Sequence, residues 1–269
     1  MLEAKEVNFA YVRALPVIND IDCTIKDGEF IALLGHNGSG KTTLSRLFMA
    51  LCHPRSGTVF VDGEDIASKE PADLAGKIGY VFQNPDLQIL EDTVFDEVAY
   101  GPRAKKLPEE TVEKQVNAAL GAMGLSELKK AYPRMLSFGQ KRRLGVASAL
   151  ALNPKTLILD EITNGHDALE KEGIMKYLKA INKDLGITVV LISHDMDIVI
   201  RYADRAIVLS YGSMVFDGKP AELFDGSRPL EQWGLRRPTI ARLSWEFNVS
   251  AVTAEELCGA LNVKGGDRA

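Results

Sequence analysis

Eight residues, Gly35-His36-Asn37-Gly38-Ser39-Gly40-Lys41-Thr42, spell glycine, four residues, then Gly-Lys-Thr, and their neighbours limit the fold that can hold them. They follow the apolar run Phe30-Ile31-Ala32-Leu33-Leu34 and precede Thr43-Leu44-Ser45-Arg46-Leu47-Phe48-Met49, whose apolar spacing is helical. Strand, loop and helix in that order make a cradle for phosphate. Glycines let the chain bend with its N–H groups pointing inward, and the helix N-terminus adds positive potential there. The expected ligand is ATP with Mg²⁺. His36, Asn37, Ser39 and Thr43 belong to the cradle, Lys41 reaches the β- and γ-phosphates, and the Thr42 hydroxyl ligates the metal.

The remaining pattern alternates strands with helices. Glu6–Phe9, Ile18–Ile25, Ser56–Gly63 and Ile78–Phe82 read as strands, the last stopped by Gln83-Asn84-Pro85. Between Asp92 and Leu152 strand signals vanish. Pro108-Glu109-Glu110 starts a helix there, with Val112, Val116, Ala119, Leu120 and Met123 as its apolar stripe, and Gly124 and Pro133 mark breaks. The strand pattern resumes at Thr156–Asp160 and Ile187–Ser193, unalternating apolar runs of the kind buried on both faces, separated by a helix from about Leu169 to Leu185. Two shorter strands, Ala206–Leu209 and Ser213–Phe216, follow. This alternation implies an α/β fold with a mostly parallel sheet, interrupted by a helical subdomain at about 84–152. The expected division is one domain over 1–224 and a small C-terminal extension over 225–269, with a capped helix at Thr253–Leu261.

Strand ends carry the remaining chemistry. Asp160 and Glu161 close a central strand, where ligand sites sit in open parallel sheets. Asp160 is expected to hold Mg²⁺ through its water shell and Glu161 to polarise the water attacking the γ-phosphate. Gln83 ends another strand and is placed to sense metal or water. An isolated histidine is more often structural, but His194 ends a strand on the same sheet edge, which favours a γ-phosphate contact. Ser137 is a good helix N-cap, so Lys141, Arg142 and Arg143 stand near a helix start, where the dipole disfavours positive charge. A nearby polyanion would explain them; a solvated basic face is the plainer account.

Composition narrows the partners. A net charge of -5 and no long basic block argue against nucleic acid. Cys23, Cys52 and Cys258 suggest neither a disulfide framework nor a thiolate metal site, which fits a reducing compartment. His36, His53 and His166 lack metal-ligand spacing. No apolar run approaches membrane-spanning length, so work at a membrane requires other subunits to span it.

With Leu136-Ser137-Phe138-Gly139-Gln140 as a signature segment between the phosphate loop and the acidic strand end, residues 2–220 resemble the ATP-binding-cassette ATPases. The resemblance implies a phosphate-loop NTPase core with an N-terminal antiparallel β subdomain, and two subunits associated head to tail. Ser137, Gly139 and Gln140 would then contact ATP held by the other subunit, while Tyr11 stacks on adenine and Asp167 serves the turn between the sites. Val81–Gln88 and the tail Gly234-Leu235-Arg236-Arg237-Pro238 are similar to energy-coupling-factor (cobalt-type) transporter ATPases. That narrower likeness implies a second ATPase, identical or paralogous, a transmembrane coupling subunit docking near residues 84–100, and a small substrate-binding membrane subunit. The complex would sit at the cytoplasmic face of the membrane and import a vitamin or transition-metal ion. Three positions depart from the family: Phe138 for the commoner glycine, Ile162 for proline and His166 for leucine. Another importer class, or a soluble cassette acting on ribosomes or DNA, are the competing readings.

Overall fold

The computed structural model describes residues 1–163, 168–247, 249, 251 and 254–266, with the side chains of 87 and 262–266 outside the description. The expectations for Asn164 to Asp167 therefore lie outside the described residues.

Two sheets divide the strands. β1 (Leu2–Phe9), β2 (Ile18–Ile25), β4 (Ser56–Val61) and the short β5 (Glu64–Asp65) form a four-stranded antiparallel sheet in the order β2-β1-β4-β5. β3 (Phe30–Leu34), β6 (Ile78–Val81), β7 (Thr156–Asp160), β8 (Thr188–Ile192), β9 (Arg205–Ser210) and β10 (Ser213–Gly218) form the second, ordered β10-β9-β3-β8-β7-β6. Every pairing in it is parallel except that of the hairpin β9/β10.

β3 and β8 are buried at every position, as their lack of alternation predicts for a sheet covered on both faces. On one face Ile31, Leu33, Ile158 and Val190 join Leu44, Leu47 and Phe48 of α1 (Lys41–Phe48), together with the inner residues of the antiparallel sheet. A four-residue helix, α2 (Pro71–Leu74), adds Leu74 to that layer. On the opposite face Phe30, Leu157, Leu159 and Val189 share a core with α3 (Val94–Ala104), α4 (Glu109–Ala122) and α5 (Phe138–Leu150). The inserted helices are therefore continuous with the sheet's core. Within α4, Val112, Val116 and Leu120 are fully buried, and Leu120→Ala would cost about 2–5 kcal/mol by the usual cavity penalty.

α6 (Ala168–Leu185) returns the chain to β8, held by the Asn182 amide, which donates to Gly28 O at 2.9 Å and Ile187 O at 2.8 Å. α7 (Met196–Tyr202) and α8 (Pro220–Leu223) flank the hairpin. Beyond them come α9 (Thr239–Glu246) and α10 (Ala254–Gly266). Leu230 and Leu235 pack with Leu34, Val208 and Phe216, so the start of the tail rests on the sheet.

This strand order sets the site. β3, β8, β7 and β6 lie side by side and parallel, so the residues following them, Gly35, Ser193-His194, Asp160-Glu161 and Gln83, emerge along one sheet edge.

Candidate active site

The phosphate loop has backbone geometry that side chains would forbid. Gly35 has φ +138°, and a Cβ there would lie 2.0 Å from Leu209 O. Gly40 has φ +107°, and a Cβ would lie 2.7 Å from Ile18 Cδ1. Gly38 has φ +81° with open space around it, and Asn37 beside it is exposed. Ser39 is fully buried, and its Oγ has no hydrogen-bond partner among the described residues, a polar atom left over in a cradle of the right shape for phosphate.

Lys41 opens α1. Its Nζ donates to Gly35 O and His36 O, both at 2.9 Å, so the loop's own carbonyls hold the ammonium inside the cradle. Burial pushes its pKa down, opposed by the charges of Glu161 and Asp160. His36 faces the other way: its Nε2 accepts the Tyr211 N–H at 3.2 Å and its ring lies 4.6 Å from that of Tyr211. Gly234 of the tail presses on the same histidine, where a Cβ would come within 2.6 Å of His36 Cβ. Tyr11 is 54% exposed beside the loop, its hydroxyl 3.4 Å from Thr43 Oγ1 and accepting from Arg46 Nη1 at 3.2 Å, and its ring stands perpendicular to that of Phe9 at 4.8 Å.

Asp160 Oδ2 accepts from Tyr80 OH at 2.7 Å and from Thr42 Oγ1 at 3.4 Å. Burial and the neighbouring Asp160 push the Tyr80 phenol well above its ordinary range, so it stays a donor. Glu161 is held from every side. Gln83 Nε2 donates to one carboxylate oxygen at 2.8 Å, and His194 Nε2 stands 3.2 Å from the other. Its N–H donates to Ile192 O at 2.9 Å, and its carbonyl accepts from Arg142 Nη1 at 2.9 Å. Its φ is +51°, a conformation that a residue with a side chain keeps only where the surroundings impose it. Lys171 pairs with Asp195 at 2.7 Å, and Asp195 caps α7 through Ile198 N, which fixes the turn carrying His194.

The structure thus gathers Gly35, Lys41, Thr42, Gln83, Asp160, Glu161 and His194 at one edge. Ser137, Gly139 and Gln140 stand apart from it. Ser137 Oγ accepts from Gln140 N at 3.2 Å, and Gln140 Oε1 accepts from Ser137 N at 2.9 Å, a reciprocal cap that starts α5. Among the described residues, no hydrogen bond joins these three to the phosphate loop. The basic triplet after them finds partners within the chain rather than forming a solvated face. Lys141 pairs with Asp86 at 2.8 Å, Arg142 is 3% exposed against Glu161, and Arg143 donates to Met123 O at 2.9 Å. Tyr80 and Arg142 are site contacts that the sequence alone did not reveal. A tyrosine inside a buried strand needs a partner for its hydroxyl, and that was the available signal for Tyr80.

Beside this edge, Leu51, Leu74, Phe82, Ile89, Leu90 and Tyr100 line an apolar groove of about 490 Å³. Phe82, Leu90 and Tyr100 are each at least half exposed there, an apolar patch of the kind found at interaction surfaces.

The ABC transporter family model matches residues 18–164. The chain is also 39% identical, over 93% of its own length and 92% of the relative's, to an energy-coupling factor transporter ATP-binding protein of Clostridium perfringens. It belongs to the ABC transporter family. Two further ABC relatives, at 45% and 40% identity, are longer proteins, and the chain spans only 39% and 45% of their length. Among solved ABC structures, CbiO1 of Clostridium perfringens, part of the ABC transporter complex CbiONQ, superposes with a TM-score of 0.80 at 38% identity, covering 91% of this chain and 98% of that one. The cassette MJ0796, solved as a dimer in a post-hydrolysis state bound to ADP and Pi, gives 0.71 at 28% identity, covering 82% and 99%. The ABC cassette fold thus extends over both sheets and the helical insert.

Proposed function

We propose that this chain is the ATP-hydrolysing subunit of a membrane importer of the energy-coupling-factor type. Two cassettes would work head to tail at the cytoplasmic face of the membrane, with a transmembrane coupling subunit and a small subunit that captures a vitamin or transition-metal ion. The observation that carries the reading is the double clamp on Glu161: its two carboxylate oxygens are addressed by Gln83 and His194, across the edge from Lys41 and the Thr42–Asp160 pair. A carboxylate held in this way is suited to take a proton from an attacking water. The names of the Clostridium perfringens relative and of CbiO1 favour the energy-coupling-factor class, and the MJ0796 dimer favours the pairing of two cassettes.

In this reading the cradle binds the β- and γ-phosphates through its inward N–H groups, and Lys41 exchanges carbonyl partners for phosphate oxygens. His194 donates to the γ-phosphate, Tyr11 stacks on the base, and Asp167 completes the turn between the sites. Ser137, Gly139 and Gln140 close over the partner's nucleotide. Thr42 and Asp160 are hard oxygen donors 3.4 Å apart, Gln83 meets the adjacent Glu161, and this set suits Mg²⁺, which takes few protein ligands and relies on substrate phosphates for the rest. Bound there, Mg²⁺ would neutralise charge on the β- and γ-oxygens. The division into a cassette over 1–224 and an extension over 225–269, serving dimerisation or regulation, belongs to the same proposal. So does the docking of the coupling subunit in the apolar groove, whose lining includes Pro85, Ile89, Leu90 and Tyr100.

Mass spectrometry of what co-purifies with the chain from solubilised membranes of its own host tests this. Recovery of a coupling subunit and a small membrane protein is expected. A large permease would move the chain to another importer class, and only ribosomal or DNA-associated proteins would overturn the membrane assignment.

A further inference from the structure

We infer that Arg142 is a positioning residue for Glu161, clamped in place by Phe138, so that the segment which would meet the partner's nucleotide also sets the base of its own chain. The inference rests on the dimeric ATPase proposed above and deepens it.

Arg142 lies three residues after Gly139 on α5, hence one turn along the helix. It is 3% exposed, unusual for a guanidinium, and its Nη1 donates to the carbonyl of Glu161 at 2.9 Å. That carbonyl belongs to the residue with φ +51°. The Glu161 N–H is fixed to β8 through Ile192 O, so the main chain of the base is tied on one side to the sheet and on the other to α5. A shift of α5 therefore moves one of the two anchors that impose the left-handed turn, and the carboxylate moves with it. Burial lowers the Arg142 pKa while the charge of Glu161 opposes the fall, which favours a guanidinium that stays charged beside the base.

Phe138 supplies the clamp. Its ring sits under the Arg142 guanidinium, 4.9 Å from ring centre to Cζ, within cation–π range. The departure from the family's glycine at this position thus gains a physical purpose, since the ring holds a planar fork against a carbonyl. Lysine offers a point charge without that plane, so it reproduces the charge and not the geometry. The chain of contacts runs from Gly139 and Phe138, through Arg142, to Glu161. Nucleotide docking on the signature segment would be felt at the base serving the chain's own nucleotide.

The test uses the full chain with its co-purified partners. Arg142→Gln and Arg142→Lys are compared with the parent for ATP turnover, and each is combined with Glu161→Gln to follow ATP-driven association. A misplaced base costs turnover, whereas a damaged scaffold costs binding as well. Arg142→Gln is expected to lower kcat about tenfold or more with KM within about threefold, and Arg142→Lys to recover only part of the loss. In the Glu161→Gln background, Arg142→Gln should still associate on adding ATP. Parent-like turnover in Arg142→Gln would overturn the inference, as would an equal loss of kcat, nucleotide affinity and association. If the parent hydrolyses nothing and the Glu161→Gln chain never associates, the failure lies in the proposed function.

Discussion

The phosphate-loop edge and the signature segment differ in what they leave unfinished. At the first, side chains answer one another: Lys41 is lodged in the loop's carbonyls, Thr42 and Tyr80 meet at Asp160, and Gln83 and His194 meet at Glu161. At the second, Ser137 and Gln140 spend their hydrogen bonds on starting a helix. The two glycines express the same contrast. Gly35 is required by its own chain, because any side chain would strike a backbone oxygen. At Gly139, by contrast, the nearest atoms a Cβ would meet among the described residues are those of the Glu170 carboxylate, from 3.2 Å, and no backbone atom is among them. Gly139 is thus the less constrained of the two by its own backbone.

The largest expected effect tests the first region. Glu161→Gln should lower ATP turnover about 10³-fold while ATP still binds, and the bound chains should accumulate as dimers in gel filtration. Turnover near the parent's would remove Glu161 as the base.

The glycine pair tests the contrast itself. Gly139→Ala should leave the unfolding midpoint and single-chain nucleotide binding intact yet cut turnover about 10²-fold, the usual loss when a transition-state contact is blocked. Gly35→Ala should damage the chain itself. About 1–3 kcal/mol of backbone strain, and more from the clash, should lower stability and nucleotide affinity together. Calorimetric titration and thermal melts on both variants separate these outcomes, and equal behaviour would dissolve the distinction.

A smaller effect is expected at Tyr80→Phe. Losing one hydrogen bond to a charged oxygen removes about 1.5–3 kcal/mol, roughly a tenfold or greater fall in apparent Mg²⁺ affinity, measured as the metal dependence of turnover. The smallest is Ser137→Gly. Glycine keeps most of an N-cap's value, so stability should drop by only a few tenths of a kcal/mol. A turnover loss well beyond that would assign the hydroxyl to the partner's nucleotide.

Much of this was legible because it is local. The strand before Gly35, the helix after Thr42 and the unalternating strands β7 and β8 announce themselves by burial pattern, and adjacency of parallel strands then brings Gln83, Asp160 and His194 together. What stayed hidden depends on partners remote in sequence. Lys141, Arg142 and Arg143 read as a basic cluster because Asp86, the carbonyl of Glu161 and that of Met123 reach them only after the insert folds. Tyr80 stood only as part of a strand for the same reason: its aspartate lies on the neighbouring strand.

The contact between Gly234 and His36 places the tail against the glycine-rich loop proposed to hold phosphate. Both tryptophans of the chain, Trp233 and Trp245, stand in that tail, one of them adjoining the glycine. The molecule therefore carries its own lamp on a lever. Rearrangement of the loop should change the light emitted by the tail, and a bulkier residue at position 234 should weaken nucleotide binding from the far end of the chain.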